Sequence, residues 1–220
     1  MKIGIIVAMG KELALLLPLI EESREVTVND IVFHIGRIHG HEVIAMQCGI
    51  GKVNAAVGTL TLIENFHPDL IINSGVAGGT GGGAGVLDVV VADRVAYHDV
   101  WCGPNTVWGQ VEGMPQYYAT APLDIDGDRV MHGLIASGDV FVSHPEEIAR
   151  IKALYPQVMA VDMESGAIAQ VCHIKHVPMA VIRVVSDTPG SGNNFDQYVT
   201  FWDDAPARTF HIISSVLASL

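Results

Sequence analysis

Short apolar runs of strand length alternate with segments of helical periodicity along the chain, and this alternation constrains the fold more than any other feature. Lys2–Ala8 is apolar after its first residue, and Lys11–Glu22 follows it with apolar residues on one helical face. Strands buried on both faces and helices with one apolar face pack together in α/β domains. No internal repeat or change in composition marks a boundary. The pattern therefore predicts one α/β domain over residues 1–220, with a mixed sheet flanked by helices.

The same patterns predict the remaining elements. Apolar runs indicate strands at Val32–His39 and Glu42–Cys48, joined as a hairpin through Gly40, and at Leu70–Asn73, Leu87–Val95, Leu134–Ser137, Ala160–Val161 and Pro178–Val185. Helical spacing indicates helices at Lys52–Asn65, Pro145–Leu154, Ser165–Lys175 and much of Asp203–Leu220. From Tyr97 to Asp128 no pattern persists, and we expect a long loop that is functional or packed against a partner.

Charge and composition limit the partners. The chain has 24 Asp and Glu against 12 Lys and Arg, for a net charge of −12. A protein that binds nucleic acid or an anionic membrane needs a basic patch, and so acidic a chain cannot readily form one. Neither is therefore expected as a partner. No apolar stretch reaches the roughly 18 residues of a membrane span, and three scattered cysteines favour a cytoplasmic location. Only 16% of the residues are charged, which indicates an apolar face buried in an oligomer.

Two glycine-rich segments could suggest a phosphate or dinucleotide site. In Gly75–Gly85 the spacing Gly79-x-Gly81-x-x-Ala84 is followed by a predicted strand, whereas a dinucleotide fingerprint opens a helix. Gly49–Asn54 does precede a helix, but no acid ends the next strand, so a tight turn with close helix packing explains it better. The ten histidines show no metal-ligand spacing, and no metal is expected.

Acidic residues stand just past three predicted strands. Glu12 lies in a first helical turn, where complementing the helix dipole is the simpler interpretation. Asp162 and Glu164 flank a strand-to-helix junction, where capping and a functional role are equally supported. Asp187 follows a strand that contains Arg183, which needs a carboxylate or a ligand as partner. Because open α/β sheets bind ligands at the carboxyl ends of strands, these acids are candidates for one site.

Six short motifs occur in order along the chain: Ile5-Ile6-Val7-Ala8-Met9-x-x-Glu12, Gly49-Ile50-Gly51-Lys52, Asn73-Ser74-Gly75-Val76-Ala77-Gly78-Gly79, Ser137-Gly138-Asp139-x-Phe141, Val161-Asp162-Met163-Glu164-x-x-Ala167 and Arg183-Val184-Val185-Ser186-Asp187. They resemble the nucleoside phosphorylase superfamily, and within it the nucleosidases that act on 5′-methylthioadenosine and S-adenosylhomocysteine. The resemblance implies a single-domain three-layer αβα fold with a central mixed, twisted sheet. It also implies hydrolysis of the N-glycosidic bond of 5′-substituted adenine nucleosides, with release of adenine and no cofactor.

The resemblance assigns catalytic roles to four residues. Asp187, oriented by Ser186, would protonate N7 of the departing adenine. Glu12, aided by Arg183, would activate the attacking water, and Glu164 would accept hydrogen bonds from the ribose hydroxyls. A carboxyl can act as an acid near neutral pH only if burial raises its pKa. An Asp at this position also favours adenine, because it can accept from the 6-amino group.

Substrate contacts are implied as well. The backbone of Ala77 and Gly78 would face the ligand, and the backbone of Val142 would read the purine edge. Further contacts are implied for Phe141 on the adenine face, Met163 on the ribose and Phe195 as a lid over the 5′-substituent. For Phe141 and Met163, ordinary core packing is the alternative interpretation. The segment Thr188–Asn194, just before the lid residue, is rich in Gly, Ser, Asn and Pro, as in a closing loop.

Departures from the family pattern leave the 5′-group open. Val76 stands where many members have Ser or Thr, and Asp162 replaces the more usual Glu. The segment Asp99–Tyr118 matches poorly, and in the family it helps to build the 5′-pocket across a homodimer interface. The substrate could therefore be 5′-methylthioadenosine, S-adenosylhomocysteine, 5′-deoxyadenosine or an aminofutalosine-like nucleoside. The competing functions are a purine nucleoside phosphorylase and a non-catalytic nucleoside-binding protein on the same fold.

Overall fold

The computed structural model describes residues 1–125, 127–204 and 206–220. Its strands are β1 Lys2–Val7, β2 Glu21–Val28, β3 Ile31–Ile38, β4 His41–Gln47, β5 Leu70–Gly79, β6 Val89–Tyr97, β7 Tyr117–Ala119, β8 Val130–Ser137, β9 Val158–Asp162 and β10 Met179–Asp187. Its helices are α1 Gly10–Leu16, α2 Lys52–Phe66, α3 Pro145–Leu154, α4 Ser165–Lys175, α5 Asn194–Asp204 and α6 Pro206–Ser219.

The ten strands form one mixed sheet in the order β10-β6-β8-β9-β5-β1-β4-β3-β2, with β7 paired to β6. A further pairing joins β10 to β5, in parallel. The strands β5, β9, β8, β6 and β10 therefore close into a ring. On the other side of β5, the sheet continues as an open wing through β1 and β4 to the edge strand β2.

Alternation along β1 separates the two faces of the sheet. Ile3 and Ile5 belong to the apolar cluster that contains residues of α1 and α6, whereas Ile6 belongs to the cluster that contains residues of α2 and α4. Successive strand side chains point to opposite faces, so each face is covered by its own helices. The three-layer αβα arrangement with a mixed sheet is confirmed. Gly4 of β1 has no side chain, so α2 can pack closely against the sheet. An added Cβ at this position would lie 2.8 Å from Leu62.

Most predicted elements are confirmed, and the helices at Pro145–Leu154 and Ser165–Lys175 have the predicted bounds. The prediction of one helix over Lys11–Glu22 is wrong beyond Leu16. A 3-10 turn at Leu17–Leu19 contains Pro18, and β2 then begins at Glu21. This strand escaped detection because it is a mostly exposed edge strand, rich in charged residues, and lacks the apolar run of a buried strand.

Two further differences concern irregular regions. The predicted long loop from Tyr97 contains the short strand β7, although most of its described residues are irregular. Helix α5 follows the segment that resembled a closing loop. The final predicted helix, Asp203–Leu220, corresponds to the end of α5 and to α6, and Ala205 between them lies outside the described residues, as does Asp126. No helix in the described ranges is long and apolar enough to cross a membrane.

Candidate active site

A cavity of about 370 Å³ opens where β1, β5, β9 and β10 end. The edge is the one at which α/β sheets bind ligands. The residues that line it are Ala8, Met9, Glu12, Ile50, Val76, Ala77, Gly78, Val140, Phe141, Val142, Val161, Asp162, Met163, Glu164, Ser186, Asp187, Pro189, Phe195 and Tyr198. Every predicted substrate-contacting residue is in this set, and so are three of the four predicted catalytic residues. Arg183 is the exception.

Glu12 is buried at the start of α1 and is held by backbone amides. Its Oε2 accepts hydrogen bonds from the amides of Ala8 and Met9, both at 2.9 Å, and its Oε1 accepts from the amide of Val76 at 3.0 Å. Burial raises the pKa of Glu12, against the opposing effect of these amides and of the Arg183 charge. A carboxylate has about four acceptor positions, so one on Oε1 is left for a ligand or a water.

Arg183 lies beneath the cavity and is satisfied by the protein itself. Its Nε and Nη2 contact Asp162 Oδ2 at 2.9 and 2.7 Å. Its Nη2 also donates to the side chain of Asn73, and its Nη1 donates to the backbone oxygens of Asn73 and Ile182. The carboxylate partner that the sequence required is therefore Asp162. All five N–H groups of Arg183 therefore have protein acceptors in range.

Asp162 and Glu164 have different surroundings although they flank the same residue, Met163. Asp162 ends β9, and its Oδ1 caps α4 by accepting from the amide and hydroxyl of Ser165. Glu164 faces the cavity, and its Oε1 accepts from the amide of Gly51 at 2.9 Å. Burial, followed by the nearby charge of Asp162, raises the pKa of Glu164 to about 7. The capping interpretation thus fits Asp162, and the ligand-facing one fits Glu164.

Asp187 is the last residue of β10 and is buried. The hydroxyl of Ser186 donates to its Oδ1 at 2.7 Å, and the amide of Asn194 donates to its Oδ2 at 3.2 Å. Burial raises the pKa of Asp187, while these two donors lower it. A carboxyl with a raised pKa at the edge of a cavity can hold a proton for transfer to a ligand.

Aromatic side chains cover one side of the cavity. The ring centroids of Phe141 and Phe195 lie 6.2 Å apart, edge to face, and Tyr198 lies 5.9 Å from Phe141. Phe195 is 62% exposed, so its ring is available to a ligand. The hydroxyl of Tyr198 donates to the sulfur of Met9 at 3.1 Å. Phe141, for which core packing was the alternative interpretation, is exposed at the cavity, and Met163 also lines it.

The backbone at the end of β5 closes the floor of the cavity. Gly78 pairs with Val161 of β9 and with Asp187 of β10. A Cβ on Gly78 would lie 2.6 Å from Pro189, so this position requires glycine. The hydroxyl of Ser186 also contacts the carbonyl oxygen of Ala77 at 3.3 Å. Val76 contributes its amide to Glu12 and an apolar side chain to the cavity.

Several residues at the cavity have no role predicted from the sequence. Among them are Met9, just before α1, and Tyr198 and Asn194 of α5. Helix α5 offers a signal in the sequence, because Asn194–Asp204 has an amphipathic pattern directly after the Gly- and Ser-rich segment.

The side chains that line the cavity bear on the charge and the metal ions that it could hold. Of the described residues that line it, none is Lys, Arg or His. Within the described part of the chain, no group of three or more His, Cys, Asp or Glu side chains is arranged to hold a metal ion.

The sheet and the acidic cavity at its strand ends are those of a phosphorylase-type protein. The sequence model of the phosphorylase superfamily matches residues 2–218. A 5′-methylthioadenosine/S-adenosylhomocysteine nucleosidase from Actinobacillus succinogenes is 39% identical over 233 residues, with all of both chains covered. The chain therefore belongs to the phosphorylase superfamily and, within it, to the family of 5′-methylthioadenosine/S-adenosylhomocysteine nucleosidases.

Solved structures agree with this assignment. An S-adenosylhomocysteine nucleosidase from Streptococcus pyogenes, in complex with 5-methylthiotubericidin, has a TM-score of 0.95 and 38% identity over 100% of this chain and 97% of that one. A nucleosidase from Streptococcus pneumoniae with the transition-state inhibitor MT-ImmA has a TM-score of 0.92 and 36% identity over 99% of each chain. The family expected from the six motifs is confirmed.

Proposed function

We propose that this protein hydrolyses the N-glycosidic bond of 5′-substituted adenine nucleosides and releases adenine. The observation that carries the proposal is the placement of Glu12, Glu164 and Asp187 around one cavity whose described lining contains no cationic side chain. Such a cavity suits a neutral nucleoside and a water molecule. The solved relatives in complex with 5-methylthiotubericidin and with MT-ImmA support the same substrate class.

Asp187 is the general acid. As the bond between C1′ and N9 breaks, its electron pair moves into the purine, and the carboxyl proton of Asp187 passes to N7. Adenine then leaves as a neutral molecule. General-acid catalysis of this kind contributes roughly 10²–10⁴-fold to the rate. Burial raises the pKa of Asp187 above its ordinary value, which favours the protonated form that can donate.

Glu12 is the general base. The free acceptor position on its Oε1 binds the attacking water, and the carboxylate takes one proton as the oxygen bonds to C1′. The three amides that hold Glu12 fix the direction of this acceptor position. One water is consumed, Glu12 ends protonated and Asp187 ends ionised, and solvent restores both groups between turnovers.

Glu164 accepts hydrogen bonds from the ribose hydroxyls. As the sugar gains positive charge, its hydroxyls become stronger donors, so the bonds strengthen in the transition state. Met163, which lines the cavity beside Glu164, packs against the ribose. Phe141 covers one face of the adenine, and the backbone of Val142, Ala77 and Gly78 contacts the ligand's polar edge.

Arg183 acts as a positioning residue in this proposal. Its hydrogen bonds hold Asp162 at the end of β9 and Asn73 in β5, and its charge lowers the pKa of Glu12 and of Glu164. It thus favours the ionised forms that both acids need. Its contribution to water activation is electrostatic and acts through Glu12.

A test of the reaction separates hydrolase from phosphorylase. The protein is incubated with 5′-methylthioadenosine in phosphate-free buffer, and adenine and 5-methylthioribose are measured by chromatography. We expect equal amounts of both products and no increase on adding phosphate. Turnover only with phosphate, yielding 5-methylthioribose 1-phosphate, would establish the phosphorylase alternative. Binding without products at either condition would establish the non-catalytic alternative.

We further propose that the chain folds as one domain and forms a homodimer through the outer faces of α2, α4 and the segment 101–108. Val53 is 75% exposed, and Val57, Ile174, Trp101, Val107 and Trp108 are exposed as well. Val53 and Ile174 line one shared surface pocket, and exposed apolar side chains grouped in this way mark an interaction site. Ile50 is both exposed and part of the cavity lining, so a second copy here would close the cavity near the 5′-group.

The dimer is tested by sedimentation of the Val53→Glu variant. We expect a dimer for the wild type and a monomer for the variant, with the exposed Val32→Glu as control. A monomeric wild type would refute this part of the proposal. In a cytoplasmic setting, the reaction would belong to nucleoside catabolism and methionine salvage.

A further inference from the structure

Asn194 joins the two parts of the cavity that the proposed reaction assigns to the adenine. It is the first residue of α5 and is only 4% exposed. Its Nδ2 donates to Asp187 Oδ2 and to the carbonyl oxygen of Val142, both at 3.2 Å. The carbonyl oxygen can only accept, so the NH₂ end of the side chain faces this side, and its two hydrogens match the two acceptors.

We infer that Asn194 is a positioning residue for the general acid, and that it couples proton donation by Asp187 to the seating of the lid helix α5. This inference rests on the proposed function and adds to it a residue that sits behind the cavity lining. The adenine contacts neither side of this amide in our proposal. Asn194 acts through the carboxyl group that it holds.

The geometry explains why one donor is not sufficient. The terminal torsion of an Asp side chain is broad and has no sharp staggered minima. Ser186 alone would fix Oδ1 and leave the carboxyl plane free to turn about that contact. A second donor on Oδ2 fixes the plane, and because the same NH₂ also binds Val142, the carboxyl is held at a set position relative to the segment that reads the purine.

Helix α5 carries both this donor and the lid aromatic. Phe195, the next residue, is exposed at the cavity. The helix is further anchored by Gln197, whose Oε1 accepts from the amide of Thr188 at 2.8 Å, just after Asp187. A displacement of the first turn of α5 would therefore move the lid ring and withdraw the donor from the acid together. The consecutive residues Asn194 and Phe195 thus link closure of the cavity to the placement of Asp187 for proton transfer.

The surroundings of Asp187 define the expected pH effect. Strand β5, which pairs with β10, has no titratable side chain. The ionisable side chains that share the cavity with Asp187 are Glu12 from α1, Tyr198 from α5, and Asp162 and Glu164 from the β9–α4 junction. Arg183 lies lower on β10, and Asp196 of α5 is exposed. Removing the Asn194 donor takes away a contact that lowers the pKa of Asp187, so that pKa should rise further.

The experiment compares the pH dependence of kcat and kcat/KM for 5′-methylthioadenosine in three variants of the full-length protein. Asn194→Ala removes both donated bonds, and Asn194→Ser retains one hydroxyl donor. Asn193→Ala is the matched control, because Asn193 is an exposed neighbour that contacts Ser191 and Gln197 but not the acid. Thermal unfolding is recorded for each variant.

For Asn194→Ala we expect kcat to fall about 10–100-fold, as for the loss of a hydrogen bond to a charged group. The basic limb of the pH profile should move to higher pH, with a smaller change in KM. Asn194→Ser should lie between this variant and the wild type, and Asn193→Ala should match the wild type. If Asn194→Ala does not fold, the position of the basic limb in Asn194→Ser decides.

The inference is overturned if the basic limb of the folded Asn194 variants coincides with that of Asn193→Ala, whatever the loss of rate. A lower rate with an unmoved limb would mean a structural role only. Failure of the proposed function would be seen separately, as a wild-type protein that releases no adenine.

Discussion

Replacement of Asp187 by Asn tests the acid with the least disturbance of the fold. The two side chains have the same shape, and the neighbours of Asp187 can accommodate the exchange. The amide oxygen of the new side chain can accept from Asn194, and its NH₂ can donate to the hydroxyl of Ser186, which accepts as readily as it donates. We therefore expect the free energy of unfolding to change by about 1 kcal/mol or less.

The chemical effect should be far larger. An amide cannot deliver a proton to N7, so the general-acid contribution of roughly 10²–10⁴-fold is lost. This loss corresponds to about 2.7–5.4 kcal/mol of transition-state stabilisation, at about 1.36 kcal/mol for each factor of ten. Affinity for 5′-methylthioadenosine should change by less than about tenfold, because the cavity keeps its shape and its other contacts.

Three measurements decide the outcome of this replacement. Single-turnover release of adenine gives the chemical step, calorimetry with 5′-methylthioadenosine gives the affinity, and the pH profile gives the acid. In the wild type the rate should fall at high pH as Asp187 loses its proton, and Asp187→Asn should lack this basic limb. The exposed Asp93→Asn serves as control. A rate near that of the wild type, in a folded variant, would remove Asp187 from the acid role.

Three further changes probe the groups around the acid. Asp162→Ala leaves the buried charge of Arg183 without its carboxylate, and urea denaturation should show a loss of about 3–5 kcal/mol in stability. Gly75→Ala would bring a Cβ within 2.6 Å of Glu12 Oε1, so kcat should fall at least about tenfold while KM changes less. Burial raises the pKa of Glu164 from its ordinary 4.5 to about 7 in the folded protein. Between these two pH values the folded protein binds a proton that the unfolded chain has lost, so the free energy of unfolding falls as pH rises through this range. Glu164→Gln should remove this part of the pH dependence, which urea denaturation at several pH values measures.

Matched substitutions at exposed positions accompany these tests. Asp93→Ala should cost about 1 kcal/mol or less, because exposed ion pairs contribute little. Gly85→Ala has ordinary contact distances and should leave kcat unchanged. Glu42→Gln, on the exposed side of β4, should keep the pH dependence of the wild type. If a control variant lost as much stability or activity as the test variant with which it is paired, the proposed cause would be contradicted.

Local patterns were sufficient for most of the helices and strands. The apolar β1 and β10 and the helices α2, α3 and α4 were visible because burial imposes a pattern on their residues. The edge strand β2 was not, since charge and solvent exposure weaken that pattern at the surface. Helix α5 has an amphipathic pattern, but it begins directly after a Gly- and Ser-rich segment that is typical of a loop.

The sequence by itself determined that acids follow three strands and that Arg183 needs a carboxylate or a ligand as partner. Only the tertiary structure decided where each acid lies and which groups it contacts. All four acids line one cavity, but Asp162 is also bound by Arg183 and caps α4. The physical reason is that the pairing of β10 with both β5 and β6 closes a ring of strands. Such long-range pairings bring distant segments together, and no local pattern encodes them.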